Sequence, residues 1–152
     1  MIKISTREKI IENEKVANLY NQLGTLLNAI EAINLPKETT DVIDQEIEQL
    51  NAFSNEDKFF VKAIKEKENN IVKFLEKKHK IVPKKYYTKL WMILGMSAFG
   101  IPMGVAFGVI IKNMGLLGIG LPIGMGVGVV FGTYLDKKAL NEGRQLDVEI
   151  KY

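Results

Sequence analysis

The sequence predicts an all-α membrane protein in which cytosolic amphipathic helices precede a two-helix transmembrane hairpin. Three observations predict this fold. Residues 90–135 contain a single charged side chain, Lys112. Apolar residues recur at helical spacing before that stretch, and six lysines directly precede it. The predicted parts are a cytosolic helical or coiled-coil domain (1–82), a basic juxtamembrane linker (83–89), the hairpin and a cytosolic tail (136–152).

The charge of the chain is distributed unevenly. The net charge is +3 over 152 residues, yet residues 1–75 carry ten Lys and Arg against thirteen Asp and Glu. The positive charge is therefore local, and comes mainly from a run of lysines with no acid among them: Lys77, Lys78, Lys80, Lys84, Lys85 and Lys89. There is no cysteine, which excludes disulfides and thiolate metal sites. Since the N-terminus has no signal-peptide pattern, we expect the hairpin to direct insertion.

The first helix has an apolar stripe with alternating spacings of three and four residues. Ser5 and Glu8 form a capping box that would open it, and Pro36 would end it. The stripe predicts a short coiled-coil seam. Tyr20 and Leu27 widen it, so a core-facing helix of a bundle is the alternative. The seam residues are Val16, Leu19, Leu23, Leu26, Ile30 and Ile33.

Two further helices are predicted before the lysine run. One begins near Thr39 or Thr40, and its acidic residues are interpreted as a solvated face near a helix N-terminus rather than a cation site. The other opens at Ser54 and runs toward Lys80. Three such helices are too small to bury a large core alone, so self-association is expected. Their predicted core residues are Ile43, Ile47, Leu50, Phe60, Ile64, Ile71, Phe74 and Leu75.

Two uncharged segments form the predicted transmembrane spans, residues 90–111 and 114–135. Each is long enough to cross a hydrocarbon core, which takes about 20 residues. Only Lys112 and Asn113 separate them, so the spans must be antiparallel neighbours. The excess of lysines before the first span predicts that both termini are cytoplasmic.

The two spans repeat one another in sequence. Residues 100–108 (GIPMGVAFG) align with residues 120–128 (GLPIGMGVG), and Gly95 aligns with Gly115. Because the spans are antiparallel, the copies are inverted relative to the membrane. Pro102 and Pro122 fall at equivalent positions, lack an N–H donor, and are predicted to act as hinges or as tolerated kinks.

The hairpin contains eleven glycines in forty-six residues, and each lowers helix stability by about 1 kcal/mol relative to alanine. Their four-residue spacing creates a smooth face that permits close helix packing. The second span carries a further set on its opposite side, so two neighbours and hence a homo-oligomer are expected. The predicted packing residues are Gly100, Gly104, Gly108, Gly115, Gly118, Gly120, Gly124, Gly126, Gly128 and Gly132.

The run Gly120-x3-Gly124-x3-Gly128-x3-Gly132 resembles the glycine zipper of bacterial glycine-zipper membrane proteins, over residues 95–132 only. The resemblance implies close helix association, and members of that group often form oligomers or channels. The location expected for this chain is the bacterial inner (cell) membrane. The layout of a helical domain followed by a short hairpin is also similar to that of membrane effectors of anti-phage systems such as the Hailong type.

The sequence does not favour an enzyme. It has no phosphate-binding loop or nucleophile elbow, and its one histidine, His79, is flanked by lysines. No ionisable group lies inside either span, which argues against a proton-coupled transporter. The lysine run is interpreted as a surface for anionic lipids, with a nucleotide or oligonucleotide ligand as the alternative. No cofactor or metal is expected.

Two functions follow from these observations. The first is an oligomeric channel or pore gated by the cytosolic helices, in the manner of an anti-phage effector. The second is a membrane-anchored scaffold or adaptor whose hairpin mediates self-association, while the helices bind a cytosolic regulator protein. The tail around Leu146 alternates apolar and polar residues like a short strand, which predicts an interaction edge.

Overall fold

The computed structural model describes residue 4 and residues 14–52, 59–113, 115 and 117–151. The structure is 79% helical. It divides into two compact units, which we call the helical unit (residues 1–83 with 146–152) and the hairpin unit (residues 84–145). The elements are, in order, α1 (Glu14–Glu31), α2 (Lys37–Asn51), α3 (Phe60–His79), β1 (Val82–Lys84), α4 (Tyr86–Ile110), α5 (Leu117–Asn141) and β2 (Gln145–Glu149).

The core of the helical unit forms where α3 packs against both α1 and α2. Of the predicted seam, Leu23, Leu26 and Ile30 are buried, whereas the other three residues are half-buried. Leu27 is buried beside them, so the stripe is as wide as a bundle core requires. Since α1 packs on a helix of its own chain, the bundle alternative describes it. The capping box at residues 5 and 8 lies outside the described residues.

Helix α2 begins at Lys37, earlier than predicted. The carbonyl of Pro36 accepts bonds from the backbone N–H groups of Thr39 (2.9 Å) and Thr40 (3.3 Å), which brings both threonines inside the first turn. Thr39 is fully buried, and its hydroxyl lies 2.8 Å from Nε2 of His79. Thr39, near which the sequence predicted the start of this helix, is therefore a core residue of its first turn.

Helix α3 begins at Phe60, and the predicted opening at Ser54 lies outside the described residues. The helix ends where Lys80 adopts a left-handed conformation (φ 58°), with its N–H bonded to the carbonyls at the end of the helix. This is a common helix stop. Phe60, Ile64, Ile71 and Leu75 are buried as predicted, whereas Phe74 is half-buried.

The all-α prediction is wrong in one respect, because β1 and β2 pair as a two-stranded sheet. Leu146 and Val148 are buried and alternate with exposed or half-buried residues, so the tail is a strand as its pattern predicted. β1 was missed, because three residues are too few to show a two-residue period. The segment predicted as linker, 83–89, contains the end of β1 and the first turn of α4.

The hairpin unit consists of two helices that are long and apolar enough to cross a membrane. Both extend beyond the predicted spans, since α4 begins at Tyr86 and α5 ends at Asn141. Between them the backbone N–H of Asn113 bonds to the carbonyl of Gly108 (3.0 Å), and Lys112 is left-handed (φ 55°). The Asn113 side chain then accepts a bond from the N–H of Gly115 (3.0 Å), which defines the turn.

Candidate functional site: the glycine interface of the hairpin

The two hairpin helices pack through their glycines. Eight glycines are buried, while most of the large side chains between them are exposed. Four are on α4 and four on α5, and on α5 they fall at every fourth position. The buried glycines, which we call the glycine interface, are Gly95, Gly100, Gly104, Gly108, Gly120, Gly124, Gly128 and Gly132.

At the middle of this interface the two backbones are in direct contact. A Cβ atom added to Gly124 would lie 2.5 Å from the backbone nitrogen of Gly100 and 2.6 Å from its Cα. A Cβ added to Gly120 would similarly lie 2.7 Å from the Cα of Gly104. Real Cβ atoms do not approach backbone this closely, so these positions require glycine. This is the close approach that small residues permit in membrane helix pairs.

The contact continues to the open end of the hairpin. A Cβ on Gly128 would lie 2.7 Å from the carbonyl carbon of Trp91, and one on Gly132 would lie 2.5 Å from the Cα of Thr88. Trp91 also packs edge-to-face against Phe131, with ring centroids 4.4 Å apart. The predicted zipper residues of α5 therefore pack against α4 of the same chain.

A π-helical segment keeps the glycines of α4 on one face. Gly95 and Gly100 are five residues apart, which in an α-helix at about 100° per residue would place them on different faces. Residues Met96–Gly100 are instead π-helical, and the N–H of Ile101 bonds to the carbonyl of Met96. Because bonds of this type join residues five apart, the extra residue is absorbed. Gly95 and Gly100 then both contact α5.

The second set of predicted glycines lies away from this interface. Gly118 and Gly126 are exposed, and a Cβ on either would meet nothing within 4 Å. Among the described residues, a Cβ on Gly115 would meet the Asn113 side chain. The structure thus separates the two sets that sequence spacing distinguished: one set packs the hairpin, and the other faces outward.

The outward faces of the hairpin are apolar. Only 22% of the residues in the most apolar part of each helix are buried. Among the described residues, the large exposed hydrophobic side chains outside the segment 90–135 are Phe59 and Leu140. Ile93, Val109, Ile110 and Val130 are each more than 60% exposed. The hairpin therefore buries its glycines and exposes most of its large apolar side chains, the reverse of a water-soluble helix pair.

Asp136 is a site residue that sequence reasoning missed. It lies at the end of the apolar part of α5, and it is only 8% exposed. Its Oδ1 accepts the backbone N–H of Tyr87 (3.0 Å), and its Oδ2 accepts the N–H of Thr88 (2.9 Å). These donors belong to the first turn of α4, which has no cap from its own chain segment. Asp136 therefore caps α4 from the opposite helix, where a carboxylate is favoured.

Two threonine hydroxyls extend this cap. The Thr88 hydroxyl donates to Oδ2 of Asp136 (2.7 Å), and it lies 3.3 Å from the hydroxyl of Thr133. Since the single hydrogen of Thr88 is used on Asp136, Thr133 must be the donor in the second bond. The hydrogen bonds thus form a chain that runs from Thr133 through Thr88 to the Asp136 carboxylate. An acid directly after an apolar span was the available sequence signal, but its partners lie 48 and 49 residues away.

The two prolines occupy different surroundings. Pro102 follows the π-helical segment and lies in the first turn of the next α-helical stretch, where its missing N–H is tolerated. Pro122 lies inside α5, which is helical from Leu117 to Asn141. The sequence repeat is therefore not a structural repeat. The hinge role stays a prediction at both positions.

The six lysines of the basic run divide between the two units. Lys77, Lys78 and Lys80 belong to the helical unit, where Lys78 lies 3.4 Å from Glu38 and Lys80 lies 3.3 Å from Glu76. These acidic neighbours therefore offset part of the positive charge in that half of the lysine run. Lys84, Lys85 and Lys89 belong to the hairpin unit, close to the start of α4.

Outside the hairpin, the helical unit has a buried polar cluster. Glu68 is fully buried, and both of its carboxylate oxygens accept bonds from the side-chain amide of Gln22 (3.0 Å each). The Gln22 side-chain oxygen in turn accepts the backbone N–H of Lys151 (2.8 Å). This cluster joins α1, α3 and the tail. It was missed because Glu68 is one charged position in an otherwise apolar stripe.

A local ion pair follows the end of α5. Nε of Arg144 donates to Oε2 of Glu142 (2.8 Å). This hydrogen bond holds the pKa of Glu142 below its ordinary value of 4.5, and it raises the pKa of Arg144. Gly143 turns the chain between them with a φ of 66°, a conformation that glycine adopts readily.

No protein family, curated protein or solved structure matches this chain. Within the part of the chain that the structure describes, no three Asp, Glu or His side chains are grouped to hold a metal ion. The hairpin and its flanks are therefore the features of this chain that bear on its function.

Proposed function

We propose that this chain is an integral membrane protein whose hairpin spans the bilayer. One observation carries the proposal: the hairpin buries glycine and exposes large apolar side chains along both helices. In water each exposed apolar side chain would be unfavourable, whereas in lipid it is favoured. Helical backbone also satisfies its own hydrogen bonds, as a bilayer requires.

The proposed orientation places both chain termini in the cytoplasm and the turn at Lys112 outside a bacterial cell membrane. The lysines that flank the start of α4 support this direction, because cytoplasmic flanks carry an excess of Lys and Arg. Lys137 and Lys138 add two basic residues at the end of the second span. The helical unit would then lie in the cytoplasm.

Within this frame, a membrane-anchored scaffold or adaptor is the function that the geometry supports best. The backbones of α4 and α5 are in contact along the interface, so one hairpin leaves no passage between its helices. The described spans also present little polar surface, since the hydroxyl of Ser97 bonds to the carbonyls of Ile93 and Leu94. The hairpin would anchor the chain and associate with copies of itself. The helical unit would bind the cytosolic partner.

The outward glycines of α5 support the proposed homo-oligomer. Gly118 and Gly126 leave space for another backbone, in the way that small residues do in membrane helix pairs. They are eight residues apart, so at about 100° per residue they are offset by about 80° around the helix and lie on the same side of it.

A pore is the second candidate, favoured by the same outward glycines together with the π-helical segment before Pro102. Several hairpins arranged around an axis would line a passage with small and apolar groups. Such a passage opens by wetting and closes by constriction. A pore gated by the helical unit would suit a membrane-disrupting effector of anti-phage defence.

Association is tested by replacing Gly118 and Gly126 with leucine in the full chain. A Cβ at either position meets nothing within 4 Å, so the expected result is an intact monomer with a smaller share of oligomer in native mass spectrometry from nanodiscs. Replacing the exposed Ile123 and Val127 with leucine on the same helix is the matched control. An unchanged oligomer in the glycine variant would contradict the proposed interface.

Ion flux separates scaffold from pore. Purified chain is reconstituted into liposomes loaded with a potassium-sensitive dye, and flux is recorded with and without a membrane potential. The scaffold predicts flux equal to that of empty liposomes while the chain remains oligomeric. Flux that disappears in the Gly118 and Gly126 leucine variant would establish the pore instead.

A further inference from the structure

A recess lies at the open end of the hairpin, where α4 begins and α5 leaves the apolar segment. Its volume is about 350 Å³, and every residue that lines it belongs to the hairpin unit. This size is within the range of small-ligand sites in proteins. The lining residues are Lys84, Lys85, Thr88, Thr133, Asp136, Lys137, Leu140 and Gln145.

The wall of the recess is positively charged. Three lysines and one aspartate give it a formal charge of +2. Both oxygens of Asp136 already accept bonds from the first turn of α4. The lysine side chains are exposed and come from two directions, since Lys84 and Lys85 precede α4 and Lys137 follows Asp136 on α5. The recess therefore favours an anion.

The form of the wall indicates which kind of anion. Ammonium groups act as point charges and commonly bind phosphate, and three of them line the recess. Most of the exposed surface of the recess is nevertheless apolar, and Leu140 is among its lining residues. A phosphate ester with an apolar portion fits this combination better than inorganic phosphate does.

We propose that this recess is a specific binding site for the phosphate headgroup of an anionic phospholipid. The inference rests on the proposed membrane insertion, which puts the recess at headgroup level, directly after Leu135. It goes further than general attraction of lysines to a membrane, because it assigns a saturable site to three particular lysines. One of them, Lys137, lies outside the basic run of residues 77–89.

The test uses purified full chain in neutral detergent, titrated with a short-chain phosphatidylglycerol and followed by native mass spectrometry. The expected result is one tightly bound lipid per chain. Substituting K84Q, K85Q and K137Q together should weaken binding about a hundredfold, since each lysine near an anionic surface contributes about a fivefold effect. The control combines K37Q, K62Q and K73Q, three exposed lysines of the helical unit outside the basic run, and should change binding less than twofold.

Three outcomes would overturn the site. Equal weakening by both triple variants would show that only net charge matters. Equal binding of short-chain phosphatidylcholine would remove the requirement for an anion. Binding of inorganic phosphate as tight as that of the lipid would make free phosphate the ligand.

Membrane insertion is measured separately, by alkaline extraction of the chain from liposomes. Extraction of the unaltered chain would contradict the proposed function without bearing on binding in detergent. An inserted chain that binds no lipid in detergent would overturn the recess proposal alone.

Discussion

The hydroxyl of Thr88, in the first turn of α4, donates a hydrogen bond of 2.7 Å to Oδ2 of Asp136, which lies in the C-terminal part of α5. Together with the backbone bonds from Tyr87 and Thr88, it ties the first turn of α4 to α5. At this end of the hairpin, hydrogen bonds to Asp136 follow the last contacts of the glycine interface. The hairpin is therefore held both by close backbone contact and by one buried carboxylate.

Replacing Asp136 with alanine should destabilise the hairpin by about 2–3 kcal/mol, because three donors lose a partially buried charged acceptor. Asp136→Asn should have a smaller effect, since one side-chain oxygen can still accept. Unfolding in mixed detergent micelles is followed by the fluorescence of Trp91, the only tryptophan, which packs on Phe131.

The Thr88→Val variant is the matched control for this cap. It removes the hydroxyl donor and keeps the backbone N–H bond, so a loss of about 1 kcal/mol is expected. If Asp136→Ala and the unaltered chain unfold at the same detergent composition, Asp136 does not stabilise the hairpin.

The cap illustrates what sequence patterns predict and what they do not. Long uncharged runs and four-residue glycine spacing are local signals, so the hairpin and its small-residue faces could be predicted. Asp136 acts on residues 48 and 49 positions away, and nothing local to it indicates those partners. Strand β1 is similar, since its three residues acquire meaning only by pairing with β2.

Replacing Glu68 with alanine should destabilise the helical unit by about 3 kcal/mol. The substitution leaves a cavity and removes both acceptors of the Gln22 amide in a fully buried position. Hydrogen exchange across α1 and α3 in the full chain measures the loss. Glu66→Ala, at an exposed position of the same helix, should change exchange by less than about 0.5 kcal/mol. Equal protection of α1 and α3 from hydrogen exchange in both variants would contradict a stabilising role for Glu68.

The pair between Glu142 and Arg144 predicts a pH dependence of definite sign. The folded-state pKa of Glu142 lies below 4.5, so the carboxylate binds its proton less readily when folded. The stabilisation is therefore present above pH 4.5 and is lost as the pH falls through the lower folded-state pKa. Carbon NMR of the Glu142 carboxyl follows the titration, and Arg144→Gln should raise its pKa toward 4.5. An unchanged titration would show that the pair does not form in solution.

Two glycines of α5, two residues apart, should respond to alanine with opposite signs. Gly124→Ala places a Cβ against the backbone of Gly100 and should destabilise the hairpin by about 1–3 kcal/mol. Gly126→Ala meets nothing within 4 Å and should stabilise it by about 1 kcal/mol through helix propensity. Trp91 fluorescence in mixed micelles measures both. Effects of the same sign would contradict the assignment of the two faces.

The contrast also shows where the glycine pattern was insufficient. Spacing identified two sets of glycines, but it could not say which set faces the partner span and which faces outward. The choice depends on how α5 is rotated about its axis, whereas the π-helical segment at Met96–Gly100 brings the glycines of α4 onto one face. The five-residue gap between Gly95 and Gly100 was visible in the sequence as a departure from four-residue spacing.

The π-helical segment gives a prediction about single-residue deletions. Deleting Ala98 brings Gly95 and Gly100 from five to four residues apart, the spacing that a regular α-helix needs to keep both on one face. The segment should then become α-helical, and the glycine interface should be retained. The expected change in hairpin stability is less than about 1 kcal/mol, since one residue is removed without displacing a contact.

Deleting Ala106 is the matched control, because it removes the same residue type from an exposed position of the same helix. Here the spacing between Gly104 and Gly108 falls to three, which rotates Gly108 and the following turn by about 100° relative to the interface. Gly108 would then no longer face α5, and the turn closed by the Asn113–Gly108 hydrogen bond would be displaced relative to α5. A larger loss of hairpin stability is therefore expected. Unfolding of both variants is compared by Trp91 fluorescence. Equal losses would mean that the π-helical segment does not set the register of the glycines.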